Sequence, residues 1–80
     1  MITIKDFKYQ VPKSVKPGAK VTVMNMDRVV HSVTADTSTS VFDVDADPGV
    51  PASFTAPTKP GTYTFHCTYH GNMHGTLVVT

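Results

Sequence analysis

The residues able to do chemistry crowd into one segment near the end of an 80-residue chain. Tyr63-Thr64-Phe65-His66-Cys67-Thr68-Tyr69-His70-Gly71-Asn72-Met73-His74-Gly75 holds the only cysteine and three of the four histidines. Cys67, His70 and Met73 stand at Cys-x2-His-x2-Met, and His31 offers a second imidazole from far upstream. A thiolate and two imidazoles in a trigonal array, with a weak axial thioether, make a blue-copper electron-transfer site. The thiolate suits Cu(I) and donates strongly to Cu(II), imidazole accepts both, and a long thioether bond constrains neither. Such a site needs little rearrangement when an electron moves. The same donors leave other chemistries open. Cys and two His can hold a structural Zn²⁺. Copper delivery could use the same four ligands, although drawing them from two separated strands disfavours release. Cys67 as a nucleophile with His70 as base would need an orienting carboxylate and an oxyanion hole. The nearest acidic residue upstream is Asp47, and none follows Cys67.

Short strands must position these donors. Twelve Val and twelve Thr stand against one Leu, two Ile and no Glu, a composition that fits pleated sheet and excludes a helix bundle. Ile2 and Ile4 alternate with Thr3 and Lys5, and Phe7 and Tyr9 continue one residue out of phase, which predicts a bulge near Asp6. Lys16-Pro17-Gly18 and Asp47-Pro48-Gly49 read as turns. Strands are expected around Val21 and Val23, from His31 to Ala35, weakly from Val41 to Asp45, and over Ala52–Ala56, Thr62–Cys67 and Gly75–Thr80. Seven or eight strands with frequent turns predict an antiparallel β-sandwich forming one domain over residues 1–80. Val21, Val23, Phe54, Tyr63, Phe65, Leu77 and Val79 are its expected core. His66 should point to the face opposite Cys67, His74 to solvent, and Met24 and Met26 read as packing or surface residues.

At 80 residues a hydrophobic core is only marginally stabilising, and one cysteine allows no internal disulfide, so a metal is the natural staple. A formal charge of +1 excludes the concentrated basic face of a general nucleic-acid binder, and the length excludes a doubly wound dinucleotide fold. No apolar run is long enough for stable membrane insertion or a signal segment, so the protein is either cytoplasmic or its targeting segment lies outside this chain. Five of six Lys lie in the first twenty residues, and four of six Asp lie between Asp36 and Asp47. Solvated turns and protected sheet edges account for that pattern; a polar fringe that orients a partner is the functional reading.

The chain resembles the small cupredoxins of the plastocyanin and amicyanin group. Lys16-Pro17-Gly18 with Val21 and Val23, Asn25-Met26-Asp27 with His31-Ser32-Val33-Thr34-Ala35, and Pro60-Gly61-Thr62-Tyr63-Thr64-Phe65-His66-Cys67 carry the likeness. The His70-to-Met73 gap is similar to the short amicyanin loop. The resemblance implies a Greek-key β-sandwich and one copper ion cycling Cu(II)/Cu(I), held by His31, Cys67, His70 and Met73. It also implies a monomer that is not an enzyme, in a periplasmic or extracytoplasmic setting. Redox donor and acceptor proteins would dock transiently near His70, against an apolar ring drawn from Val29, Val30, Val50, Pro51 and Met73. A cupredoxin domain of a larger redox protein, or a periplasmic copper-delivery protein, is the alternative. Ser32 stands where members often carry Asn tying the ligand loops together, and Gly71 where proline is common.

Overall fold

Alternation of Ile2 and Ile4 with Thr3, and of Val21 and Val23 with Thr22, turns one face of those strands inward, and the computed structural model, which describes residues Met1–Thr80, shows eight strands and no helix. They are β1 (Ile2–Lys5), β2 (Lys8–Gln10), β3 (Lys20–Asn25), β4 (His31–Ala35), β5 (Asp43–Ala46), β6 (Ala52–Thr55), β7 (Gly61–His66) and β8 (His74–Val79). Two four-stranded sheets, ordered β2-β1-β3-β6 and β5-β4-β7-β8, face each other as a sandwich. The all-β sandwich is as expected, and one pairing departs from antiparallel: β1 lies parallel to β3. Ile2, Ile4, Val21 and Val23 from one sheet meet Val33, Ala35, Phe65, Leu77 and Val79 from the other. Phe54 and Tyr63, expected in the core, pack against its margin, while Phe42 takes a central place stacked on Phe54 at 4.7 Å.

The anticipated bulge near Asp6 is instead a two-residue hairpin turn. Asp6 and Phe7 both take positive φ, 54° and 60°, and the register runs Lys5 to Lys8 and Ile4 to Tyr9. Two positive φ values are the backbone of a type I′ turn, whose twist matches that of the flanking strands. The phase slip comes from the two turn residues: Ile4 and Tyr9 are opposite partners on one face. Strand β5 also begins later than expected, because Val41 is spent closing a turn onto the Ser38 carbonyl at 3.1 Å. The other expected strands differ from the observed ones by a residue or two at their ends. Both proline–glycine turns form where expected, with Gly18 at φ 74° and Gly49 at φ 71°, conformations that favour glycine.

Strands β7 and β8, which flank the donor segment, are joined along their whole length from Gly61–Val79 to His66–His74. Gly75 lies opposite Phe65, and a Cβ there would come within 3.0 Å of two carbons of that fully buried ring. Tyr9 abuts the same ring edge-on at 4.8 Å, so it has little room to retreat. Gly75→Ala should therefore destabilise the fold by about 1–3 kcal/mol, the usual cost of overpacking. Urea denaturation of the two proteins checks this; equal midpoints would mean that Phe65 can move.

Candidate metal centre

His31 opens β4 and is fully buried, while Cys67 is the first residue beyond β7, so neighbouring strands deliver the two donors side by side. Cys67 Sγ lies 3.8 Å from His31 Nδ1. His70 comes from the loop that follows, and one donor atom each from His31, Cys67 and His70 lies within 4.8 Å of the others. The loop is short and internally braced. Cys67 N–H donates to the Met73 carbonyl at 3.2 Å and Met73 N–H to the His70 carbonyl at 3.3 Å. Met73 is buried at its end. His66, as expected, faces away from this cluster, bonded to Asp36, and His74 is exposed.

The residue that sequence reasoning missed is Asp27. Its carboxylate accepts from His31 Nε2 at 2.8 Å, from Asp6 N–H at 2.7 Å and from Phe7 N–H at 2.9 Å. A carboxylate only accepts, so the proton sits on Nε2 and the lone pair of Nδ1 faces Cys67. Second partners of this kind fix a ligating imidazole's tautomer and orientation. Asp27 is itself held by Asn25, whose Oδ1 accepts the Asp27 N–H at 2.9 Å. Asn25 is fully buried, and its amide donates to the Val29 and Ala46 carbonyls at 2.7 and 2.8 Å. The only sequence signal was a carboxylate four residues before His31 in a connecting segment.

Ser32 ties the two donor-bearing segments together more fully than a single hydroxyl bond would. Its Oγ accepts the Thr68 N–H at 2.9 Å and lies 3.2 Å from Thr68 Oγ1 and 2.9 Å from Thr34 Oγ1. The Tyr9 phenol donates to the Ser32 carbonyl. Burial first, and then the neighbouring Cys67 sulfur, push that phenol above its ordinary pKa, so it stays a donor.

Phe7, at the hairpin tip, sets its ring edge-on to both imidazoles, at 5.1 Å from His31 and 4.8 Å from His70. His70 as a whole is only half-buried. Its Nε2 is nevertheless buried with no hydrogen-bond partner. Leaving a buried nitrogen unpaired is costly, and a bound metal is the kind of partner that a cluster of one thiol and two imidazoles accommodates. Met73, expected in the apolar rim, is buried; Val29 and Val50 are exposed at this end, together with Phe7.

Burial opposes ionisation of Asp27, but the Phe7 and Asp6 N–H groups and the His31 ring outweigh it and hold the carboxyl below its ordinary pKa. A carboxyl depressed by folding contributes stability that is present above the unfolded carboxylate range and lost as pH falls through the folded value. The metal-free protein should therefore weaken on acidification, and Asp27→Asn should flatten that dependence while costing about 1–3 kcal/mol at neutral pH. Denaturation midpoints across the acid range check both; an unchanged slope in Asp27→Asn would assign the dependence to other carboxyls.

Against this geometry, the comparisons with known proteins agree. A family model described as the cupredoxin-like domain matches residues 1–79. Among solved structures, an oxidised proline-to-glycine variant of amicyanin superposes with a TM-score of 0.79 at 31% identity, over 99% of this chain and 79% of that one. A reduced proline-to-phenylalanine variant of amicyanin gives 0.78 at 30% identity, with the same coverage. The reduced Cu(I) form, at pH 4, of a further amicyanin variant gives 0.76 at 29% identity, again over 99% and 79% of the two chains. No curated protein sequence matches. With its eight strands, its His-Cys-His cluster and a family match along nearly its whole length, the chain belongs to the cupredoxin-like family, as a small member of the amicyanin type.

Proposed function

We propose that this chain is a blue-copper electron carrier, holding one copper ion with His31, Cys67, His70 and Met73 and cycling it between Cu(II) and Cu(I). The observation that supports this most directly is the convergence of one donor atom each from His31, Cys67 and His70 within 4.8 Å. Bound copper would supply a one-electron couple whose two states accept the same donors. The protein's part is to hold those donors still. Asp27 keeps the His31 lone pair turned inward, Ser32 joins the ligand-bearing segments, and two backbone bonds keep the loop from opening. Met73 is the proposed weak fourth ligand, buried on the same loop.

The order Asp27–His31–Cys67 would also suit a thiol nucleophile. Burial weighs against it, because Cys67 is only 3% exposed and Phe7 lies over both imidazoles. An electron can cross such a cover, whereas a substrate cannot.

Redox partners are proposed to dock transiently on this end, where Phe7, Val29 and Val50 are exposed. A small apolar contact allows rapid association and release. The periplasm is the proposed setting, in keeping with the amicyanin likeness.

Adding Cu(II) to the copper-free protein should give an intense visible thiolate-to-copper band, and Cys67→Ser should abolish it while leaving the sandwich folded. Absence of the band in the natural chain would defeat the reading. Copper binding only the native state should raise stability by about 4 kcal/mol at a thousandfold excess over Kd. Met73→Gln should keep copper but lower the reduction potential, because a harder oxygen donor favours Cu(II); voltammetry showing an unchanged or raised potential would remove Met73 from the ligand set. Val50→Asp should slow electron self-exchange, read from NMR line widths of mixed oxidation states, without altering the visible band. An unaltered rate would move the docking face elsewhere.

A further inference from the structure

The outer face of the β5-β4-β7-β8 sheet carries a second group of metal-ligating side chains that the copper reading leaves unused. A row of directly paired residues crosses it: Asp43, Thr34, His66 and His74. Cys67 N–H bonds to the Met73 carbonyl, so 67 and 73 form a hydrogen-bonded pair, and the next pair, His66 and His74, is of the closer non-hydrogen-bonded kind. Side chains directly opposite in such a pair leave Cβ atoms about 4.5–5.5 Å apart. Two imidazoles at that spacing can each turn one nitrogen toward a shared ion at about 2.0–2.1 Å.

One of the two rings is already oriented. His66 Nδ1 donates to Asp36 Oδ1 at 2.5 Å, which leaves Nε2 as the free lone pair. A carboxylate, a histidine and an open ring nitrogen form the arrangement that supports bound zinc in metalloproteins. The field also has the right sign. No Lys or Arg lies between Arg28 and Lys59 or after Lys59, so all four strands of this sheet lack cationic side chains. Asp36, Asp43 and Asp45 are exposed on or beside the same face. His66 and Asp36 keep 34% and 40% of their side chains in solvent, which leaves room for an ion and its waters.

We propose that His66 and His74 form a second metal site for a borderline divalent cation such as Zn²⁺, with Asp36 as the residue positioning His66. His66 ends β7 and His74 begins β8, so an ion there clamps the two ends of the segment that carries Cys67, His70 and Met73. The site shares no donor with that set, and its existence does not depend on the copper reading.

Calorimetric titration of the Cu(I)-loaded protein with Zn²⁺ tests it, combined with NMR of the histidine ring protons. One equivalent of Zn²⁺ should bind, shifting the His66 and His74 resonances. His74→Ala, at an exposed position, should abolish this binding without unfolding the chain. Asp36→Asn should weaken it about tenfold. Cys67→Ser, which disables the other donor set, should leave the His66 and His74 shifts in place, so a failure of the copper reading would not imitate a failure here. Absence of bound Zn²⁺, shifts confined to His31 and His70, or undiminished binding by His74→Ala would each overturn the proposal.

Discussion

One carboxylate holds together the end of the molecule where the donors meet. Asp27 accepts from the first histidine and from two consecutive backbone N–H groups of the β1–β2 turn. That turn is strained. A left-handed conformation costs an ordinary residue roughly 1–2 kcal/mol, and Asp6 and Phe7 both adopt it. Hydrogen bonds to a charged acceptor, at about 1.5–3 kcal/mol each, are large enough to offset it. What the turn achieves is placement: it sets the Phe7 ring edge-on to both imidazoles while the ring stays partly exposed. The orientation of His31, the cover on His70 and the first hairpin thus share a single anchor.

That anchor works because the scaffold behind it is stiff. Asn25 closes β3 with a fully buried amide whose hydrogen bonds reach the Val29 and Ala46 carbonyls, while its own carbonyl accepts the Gly49 N–H at 2.9 Å. Beyond it, Met26 N–H returns to the Ile4 carbonyl at 2.8 Å. These bonds join β1, β3, β5 and the Pro48–Gly49 turn into one rim. On the far side of the donors, Ser32 and Tyr9 perform the same service for the second sheet. The donor-bearing segments are thus tied to their neighbours by hydrogen bonds between protein groups alone.

The sequence disclosed the donors more readily than their supports. Cys67, His70 and Met73 are legible because local spacing and residue chemistry coincide on one loop, and β7 is legible because Tyr63, Phe65 and Cys67 alternate with Thr62, Thr64 and His66. His31 depended on a likeness spread over a longer stretch. Asp27 was illegible because its meaning lies in contacts with residues about twenty positions earlier, which no local pattern encodes. Phe7 misled for a related reason. A bulky aromatic is a poor candidate for a left-handed turn, so the break in alternation suggested a bulge, and only the Asp27 carboxylate makes the turn tenable. Met73 was assigned both to the ligand set and to the surface rim, and its burial removes it from the rim.

The charge pattern takes on a physical meaning once the sheets are known. Lys5, Lys8 and Lys20 all belong to the β2-β1-β3-β6 sheet, whereas Asp43 and Asp45 belong to β5 in the opposite sheet, which has no cationic side chain. The two faces of the sandwich therefore differ in sign although the chain as a whole carries only +1. On the acidic face the carboxylates are engaged: Asp43 accepts from the Thr34 hydroxyl at 2.8 Å, Asp45 from the Tyr69 phenol at 2.9 Å, and Asp36 from His66. The Thr64 hydroxyl first, then the His66 ring, hold the Asp36 carboxyl below its ordinary pKa, so it stays ionised at neutral pH. Asp43 and Asp45 are thus met by hydroxyl donors, with no Lys or Arg on this sheet to offset them. Uneven charge of this kind orients an approaching partner or cation before contact, and it does so on a face turned away from the cluster of His31, Cys67 and His70.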